Sequence, residues 1–250
     1  QWSVAANWDP AGIPFNDLVN GIFFSVEIHN SAGVHTSGIN PTIDSLSLSD
    51  QLLIANGSML TIFRSADRPN SGQIVNSGQI TLDSVGATTR LRISSGDVVL
   101  TGGGTILMGN HAQNRIGGIN AGWLFNEDNL IQGSGQVGEG AIGIVNRGQI
   151  IANQSVPMTL SPSALGLINE GTILATTGAT LNLAHPISAT FTNTLGSIQA
   201  DDQSTIVLSG AEIVGGLLRT QGSGVMRVNG ATLLDASGGM TLDGRMEVSN

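Results

Sequence analysis

Apolar residues along this chain recur as short apolar-x-apolar units: Leu46-Ser-Leu48, Leu60-Thr-Ile62, Ile80-Thr-Leu82, Leu91-Arg-Ile93, Leu181-Asn-Leu183, Ile206-Val-Leu208 and Met240-Thr-Leu242. Alternation with a period of two puts successive side chains on opposite faces of a strand, so the units predict strands of about three to five residues. No glycine-free window keeps apolar residues at three-and-four spacing over ten positions, and almost no helix is predicted. Gly, Asn, Ser and Asp separate the units. These residues tolerate left-handed backbone or bond their own main chain in turns.

The units belong to a longer repeat. Asn-x-Gly-x-Ile occurs as Asn76-Ser-Gly78-Gln-Ile80, Asn146-Arg-Gly148-Gln-Ile150 and Asn169-Glu-Gly171-Thr-Ile173, and with one residue inserted as Asn193-Thr-Leu-Gly196-Ser-Ile198. In the last three a small Ala follows at a fixed offset (Ala152, Ala175, Ala200), and a second apolar pair lies ten and twelve residues after the glycine. Weaker copies surround Gly57, Gly104 and Gly216, and Asn126-Glu-Asp-Asn129-Leu-Ile131 fits if Asn129 replaces the glycine through its tolerance of left-handed backbone. Between residues 57 and 216 seven steps of 19 to 26 residues average about 23.

A helix-free period of that length is the size of one coil of a parallel β-solenoid. A leucine-rich repeat is the runner-up, but its helical half and its L-x-x-L-x-L-x-x-N frame are absent. In a solenoid the apolar member of each pair enters a narrow core, each coil bonds to the next, and step variation is loop variation at the corners. About ten coils at roughly 4.8 Å would make a rod on the order of 50 Å long. The glycines at 57, 78, 104, 148, 171, 196 and 216 are then turn positions. Asn76, Asn146, Asn169 and Asn193 form a column whose stacked amides would bond coil to coil, as in cross-β assemblies; a ligand-binding role is the alternative.

Residues 1–24 depart from this frame. They hold five of the nine aromatic residues together with Pro10 and Pro14, in the run from Trp2 through Trp8 to Asp17. Bulky rings and prolines suit a cap that covers core edges and cannot extend a strand ladder, with aromatic stacking on a sugar or base as the functional alternative. Residues 25–250 are expected to be the solenoid. No such plug is visible near Asn250, so the solenoid is expected to continue or to dock on another molecule there.

Composition narrows the classes of function. The 250 residues include 35 Gly, nine basic residues that are all Arg, and no Cys, and the formal net charge is −9. Mean hydropathy is +0.18, which does not fit the low-hydrophobicity, high-charge profile of disorder. Scattered Arg on an acidic chain argues against nucleic acid as a partner. Absent cysteine removes disulfides, thiolate metal sites and a cysteine nucleophile. No run reaches the roughly 18 apolar residues of a membrane span. Gln1 opens directly onto Trp2 with no visible signal peptide, as expected at a processing boundary.

The Trp-x5-Trp-x-Pro opening with Pro14-x-x-Asp17, the Asn-x-Gly-x-Ile-x-Ala coils, and the joints Gly102-Gly-Gly104-Thr-Ile106 and Ile131-Gln-Gly-Ser-Gly135-Gln-Val137 resemble a known group. They are similar to right-handed β-helix surface proteins of Gram-negative bacteria, such as autotransporter passengers and filamentous-haemagglutinin-like exoproteins. The resemblance covers most of the chain, and its motifs identify an architecture better than an activity. It implies an all-β, single-stranded right-handed parallel β-helix that is extracellular or at the bacterial cell surface. Such proteins are mostly adhesins, matrix or filament components, and a minority are enzymes. No catalytic motif carries over to any residue here.

Candidate chemistry is sparse. Glycoside cleavage needs two carboxyl groups roughly 5 to 9 Å apart, yet five residues past the glycines of the four Asn-x-Gly-x-Ile copies stand Asp83, Asn153, Thr176 and Asp201, with the two acids several coils apart. Glu127 with Asp128 and Asp201 with Asp202 read first as solvated turn acids; as hard oxygen donors they are also where a calcium ion would bind. Gly238-Gly239-Met-Thr-Leu-Asp243 lacks the third glycine of a calcium-roll frame. His29, His35, His111 and His185 show no metal-ligand spacing, no G-x-S-x-G is present, and no cofactor is implied. The expected function is therefore a non-enzymatic structural or adhesive rod. Its expected partners are further copies or coils at its C-terminal end and host or matrix carbohydrate. A polysaccharide lyase, a hydrolase or a carbohydrate-binding module is the alternative.

Overall fold

The computed structural model describes residues 1–29, 33–119, 122–184, 189–230 and 232–249. Its short strands stack into three parallel ten-stranded sheets, each coil giving one strand to each sheet. The first sheet runs from Ser25–Ile28 to Leu233–Asp235, the second from Val34–His35 to Thr241–Asp243, and the third from Thr42–Ile43 to Met246–Ser249. Two three-residue 3-10 turns, Ala5–Asn7 and Ala236–Gly238, supply the helix among the described residues. The fold is a β-solenoid, as the 23-residue period predicts. Ten rungs about 4.8 Å apart span on the order of 45 Å.

Register explains why inward positions repeat. Ile80, Ile106, Ile131, Ile150, Ile173 and Ile198 are direct neighbours on six successive rungs of the second sheet, all fully buried. Two residues on, Met108, Gly133, Ala152, Ala175 and Ala200 form a second column. The third sheet adds Leu91, Ile116, Val137, Leu160, Leu183 and Leu208 to the same continuous core. A one-residue slip on any rung would turn its apolar residues out to water, so burial itself holds the register.

The first and second sheets meet at a sharp corner. Strand Gly143–Asn146 is followed by only Arg147 and Gly148 before strand Gln149–Ala152, and Leu167–Asn169 is joined in the same way to Thr172–Ala175. The glycine of this corner is needed for space more than for backbone freedom. Gly57 corrects the repeat frame, because it lies between Gln51–Ala55 of the second sheet and Met59–Phe63 of the third, and of the six landmark glycines at this corner only Gly216 has positive φ. At Gly104 a Cβ would lie 2.5 Å from the Asn76 carbonyl oxygen and 2.8 Å from its amide nitrogen, and at Gly148 it would lie 2.9 Å from the Asn126 amide. At Gly196 and Gly216 it would overlap Asn169 and Asn193, respectively. At these four positions the glycine clears room for the asparagine one rung before it, whereas a Cβ at Gly78 would meet the Asp50 backbone and one at Gly171 the backbone of Arg147 and Gly148. Asn129 corrects the expectation drawn from left-handed backbone, because its φ is not positive and its place in the corner is taken for its side chain.

Residues 1–24 close the first rung. The Trp2 backbone N–H donates to the His35 carbonyl and the Asn16 N–H to the Thr42 carbonyl, so the segment bonds to the outer edges of the second and third sheets. Trp2 is fully buried, its indole N–H donates to the Pro14 carbonyl at 3.1 Å, and Trp8 packs edge-on at 5.0 Å while donating to the Trp2 carbonyl. Arg68 pairs with buried Asp44 at 2.6 Å and lies over the Phe23 ring, tying the segment to the body of the solenoid. Trp2→Phe keeps a ring but leaves the Pro14 carbonyl unpaired, and is expected to cost about 2 kcal/mol, measured by thermal melting. At the opposite end the inward columns finish on Leu242 and Val248, which are 56% and 73% exposed. Asn250 lies outside the described residues.

Candidate functional site

The asparagine column runs beside the corner. Asn126 Nδ2 donates to Asn146 Oδ1 at 2.9 Å, Asn146 to Asn169 at 2.9 Å, and Asn169 to Asn193 at 2.7 Å. Each is buried. The spare amide hydrogens go to backbone carbonyls, Asn146 to Gly148 and Thr172 and Asn169 to Gly171 and Ser197. Asn76 stands apart, because the next rung carries Gly102, Gly103 and Gly104 at this corner. Its amide passes that rung and donates to Asn129 Oδ1 at 2.9 Å, and Asn129 is in turn bonded to Asn126. All four asparagines named from the sequence are thereby joined through Asn126 and Asn129. A continuous buried chain of satisfied amides specifies which rung lies over which.

Charges stack immediately outside this column. Arg147 donates to Glu127 and to Glu170, both at 2.6 Å, so one guanidinium joins three rungs, and the two carboxylates raise its pKa. Glu127 is therefore occupied by an arginine, while the Asp128 carboxylate accepts from the Gly102 N–H and the Asn129 amide. Asp202 accepts both the N–H and the hydroxyl of Ser223 at 2.8 Å, which hold its pKa below the ordinary carboxylate value. Among the described residues no three acidic or histidine side chains converge as a metal site. His185 lies outside them. His111 Nδ1 meets the Ser84 hydroxyl at 3.1 Å but already accepts the Gln113 N–H, and that hydroxyl lies 2.7 Å from the Ala87 carbonyl, so the pair serves a turn.

These depressed carboxylates have a measurable consequence. A folded-state pKa below the unfolded value contributes stability that is present above about pH 4 and is lost as pH falls through the folded pKa. Asp202, held by Ser223, and Glu247, held by Arg227, both act in this sense. The melting temperature is expected to be flat from about pH 8 to 5 and to fall below about pH 4. Asp202→Asn removes its share of that acid-side slope, as thermal melts across pH would show.

Two surface features are of a different kind. An open recess of about 720 Å³ lies between residues 7–14 and strand Ser25–Ile28, lined by Trp8, Pro10, Pro14, Phe24 and Val26. On the outer face of the first sheet, half-buried Val99, Phe125 and Ile168 stand in register with buried Val145 as an apolar stripe, with Trp123 packed against Gly143.

The densest chemistry sits on the outer face of the third sheet, at residues the repeat analysis passed over. Arg90 and Arg115 are direct cross-strand neighbours, and Arg92 faces Thr61 on one side and Gly117 on the other. Arg90 Nη2 and Arg115 Nη1 both donate to Glu139 Oε1, at 2.8 and 3.0 Å, and Arg115 also donates to Gln136 and Gln113. Glu139 reaches back from the following turn because Gly138, Glu139 and Gly140 all have positive φ, an unusual conformation for a glutamate. Its carboxylate lies over Gly117, where any Cβ would overlap it. The Nε atoms of Arg90 and Arg115 are buried without a hydrogen-bond acceptor. Arg92 lies across buried Thr61, donating Nε to its hydroxyl at 3.1 Å, and no carboxylate of the described residues pairs with it. Spacing shows half of this: Arg90 and Arg115 are 25 residues apart, one rung, whereas Glu139 lies three residues past Gln136, the register partner of Arg115, in the turn that follows. No protein-family model matches the chain, and the searches of curated proteins and of solved structures returned no match either.

Proposed function

We propose that this chain is part of a non-enzymatic, secreted or cell-surface rod of structural or adhesive type, acting through its lateral faces and its end contacts. In this it would act like the Gram-negative β-helix exoproteins that its motifs resemble. The observation that carries the proposal is how the clustered acids are spent. Glu127 and Glu170 are held by Arg147, Glu139 by Arg90 and Arg115, Asp44 by Arg68, and Asp202 by Ser223. Side chains of that kind stiffen a scaffold, whereas a hydrolase needs one carboxyl group to donate a proton and a second free to attack or activate water. Contacts of the rung of Leu242 and Val248, either with further coils or domains or with another copy, belong to the same proposal. Any calcium held at Asp128 or Asp201 would be structural in this role.

One observation favours a second function, a polysaccharide-active enzyme. Glu139 with two arginines on adjacent rungs places a carboxylate and cations together on one lateral face. The two are separated by imaging and sedimentation of the purified chain over a concentration series. The rod predicts elongated particles that associate end to end or side by side as concentration rises. Strictly monomeric particles throughout, combined with turnover of a polysaccharide, would overturn it.

A further inference from the structure

We propose that the outer face of the third sheet around Arg92 is a binding site for a carboxylate-bearing polysaccharide, a polyuronate, whose carboxylate is gripped by the Arg92 guanidinium. The proposal names a partner for the surface rod and rests on that reading only in taking the ligand to be an extracellular polymer.

Charge is the first ground. Three guanidinium groups stand on two adjacent rungs beside a single carboxylate, which Arg90 and Arg115 hold and Arg92 does not touch, so the patch carries an excess of two positive charges on a chain whose net charge is −9. Burial and the neighbouring charge of Arg90 hold the Arg92 pKa below its ordinary value, as expected of a cation set beside another cation without its own counter-ion. Geometry is the second ground. Thr61 fixes Arg92 through Nε, which leaves both terminal nitrogens for a planar, bidentate carboxylate. Glu139 already demonstrates the preference of this face, since its carboxylate is the anion that Arg90 and Arg115 hold.

The surroundings select a polysaccharide over a peptide. Strands Thr89–Ser94 and Asn114–Ile119 are paired on both sides within the sheet, so an extended peptide finds no open edge to join. Beyond the arginines the outward column continues as Gln136, Thr159 and Asn182, amides and a hydroxyl suited to sugar hydroxyl groups.

Isothermal titration with oligogalacturonate at low ionic strength tests this. The wild type is expected to bind in a salt-sensitive manner, and an uncharged oligosaccharide is expected not to bind. Arg92→Ala should weaken binding at least about tenfold, with only a small drop in melting temperature from the lost bond to the Thr61 hydroxyl. Arg92→Lys should recover only part of the loss, because an ammonium cannot offer two parallel N–H donors. Glu139→Gln should strengthen binding severalfold by releasing Arg90 and Arg115, a gain that a purely structural patch would not give. Absence of binding by the wild type, unaltered affinity in Arg92→Ala, or equal affinity for polyglutamate would each overturn the proposal. None of these outcomes bears on whether the rod self-associates.

Discussion

Asn146→Leu is expected to lower stability by about 4 kcal/mol and the melting temperature by on the order of 10 °C. Leucine fills the space but can neither accept from Asn126 nor donate to Asn169, whose carbonyl oxygen loses its bond from the preceding rung. Each buried polar group left without a partner costs about 1–3 kcal/mol, more than an average hydrogen bond contributes. Asn146→Asp separates this cause from packing. Aspartate keeps the acceptor but, when ionised, has no proton to donate to Asn169, and burial raises its pKa. A raised folded-state pKa gives stability at low pH that is lost as pH rises, so this variant should melt highest in acid, opposite to the trend of the wild type. A melting temperature within about 2 °C of wild type for Asn146→Leu would mean that the column is decoration.

Gly216→Ala is expected to be still more damaging, about 4 kcal/mol or more, with loss of soluble protein as the alternative readout. Two independent causes act at this position. Its φ is +73°, a conformation that an L side chain enters only at a cost, and the added methyl would overlap the Asn193 carbonyl oxygen. Moving Asn193 to relieve that overlap would break its bond from Asn169, so the damage should pass up the column. Gly210→Ala is the control. It shares the positive φ, +64°, but has open space around it, and should cost only about 1 kcal/mol. Equal losses in the two variants would show that backbone conformation alone, without close approach, makes Gly216 necessary.

Much of the architecture was legible because a solenoid writes its register into the chain. Asn-x-Gly-x-Ile repeats at the rung period, and its three fixed residues have three separate physical duties: a buried amide, a vacant Cβ position and an inward isoleucine. The duty of the glycine was not legible. Turn preference and lack of room for a Cβ both select glycine, and only neighbouring rungs distinguish them. Two further features stayed hidden for the same reason. Arg92 meets Thr61 across 31 residues, because the loop from Arg64 to Gly72 lengthens that rung beyond the average period. Glu139 reaches two arginines only through a backbone conformation that a glutamate seldom adopts, so its partners follow from no propensity.

Glu139, Arg90 and Arg115 also bring the scaffold and enzyme alternatives to a single assay. The purified chain and its Arg92→Ala and Glu139→Gln variants can be incubated for long times with polygalacturonate and with neutral polysaccharides, and the chain lengths and new end groups of the products measured. A scaffold returns every polymer at its starting length, with no new reducing ends and no unsaturated uronate, in all three proteins. Shortened products formed by the wild type and abolished by Glu139→Gln would contradict it, and would make this lateral face an active site.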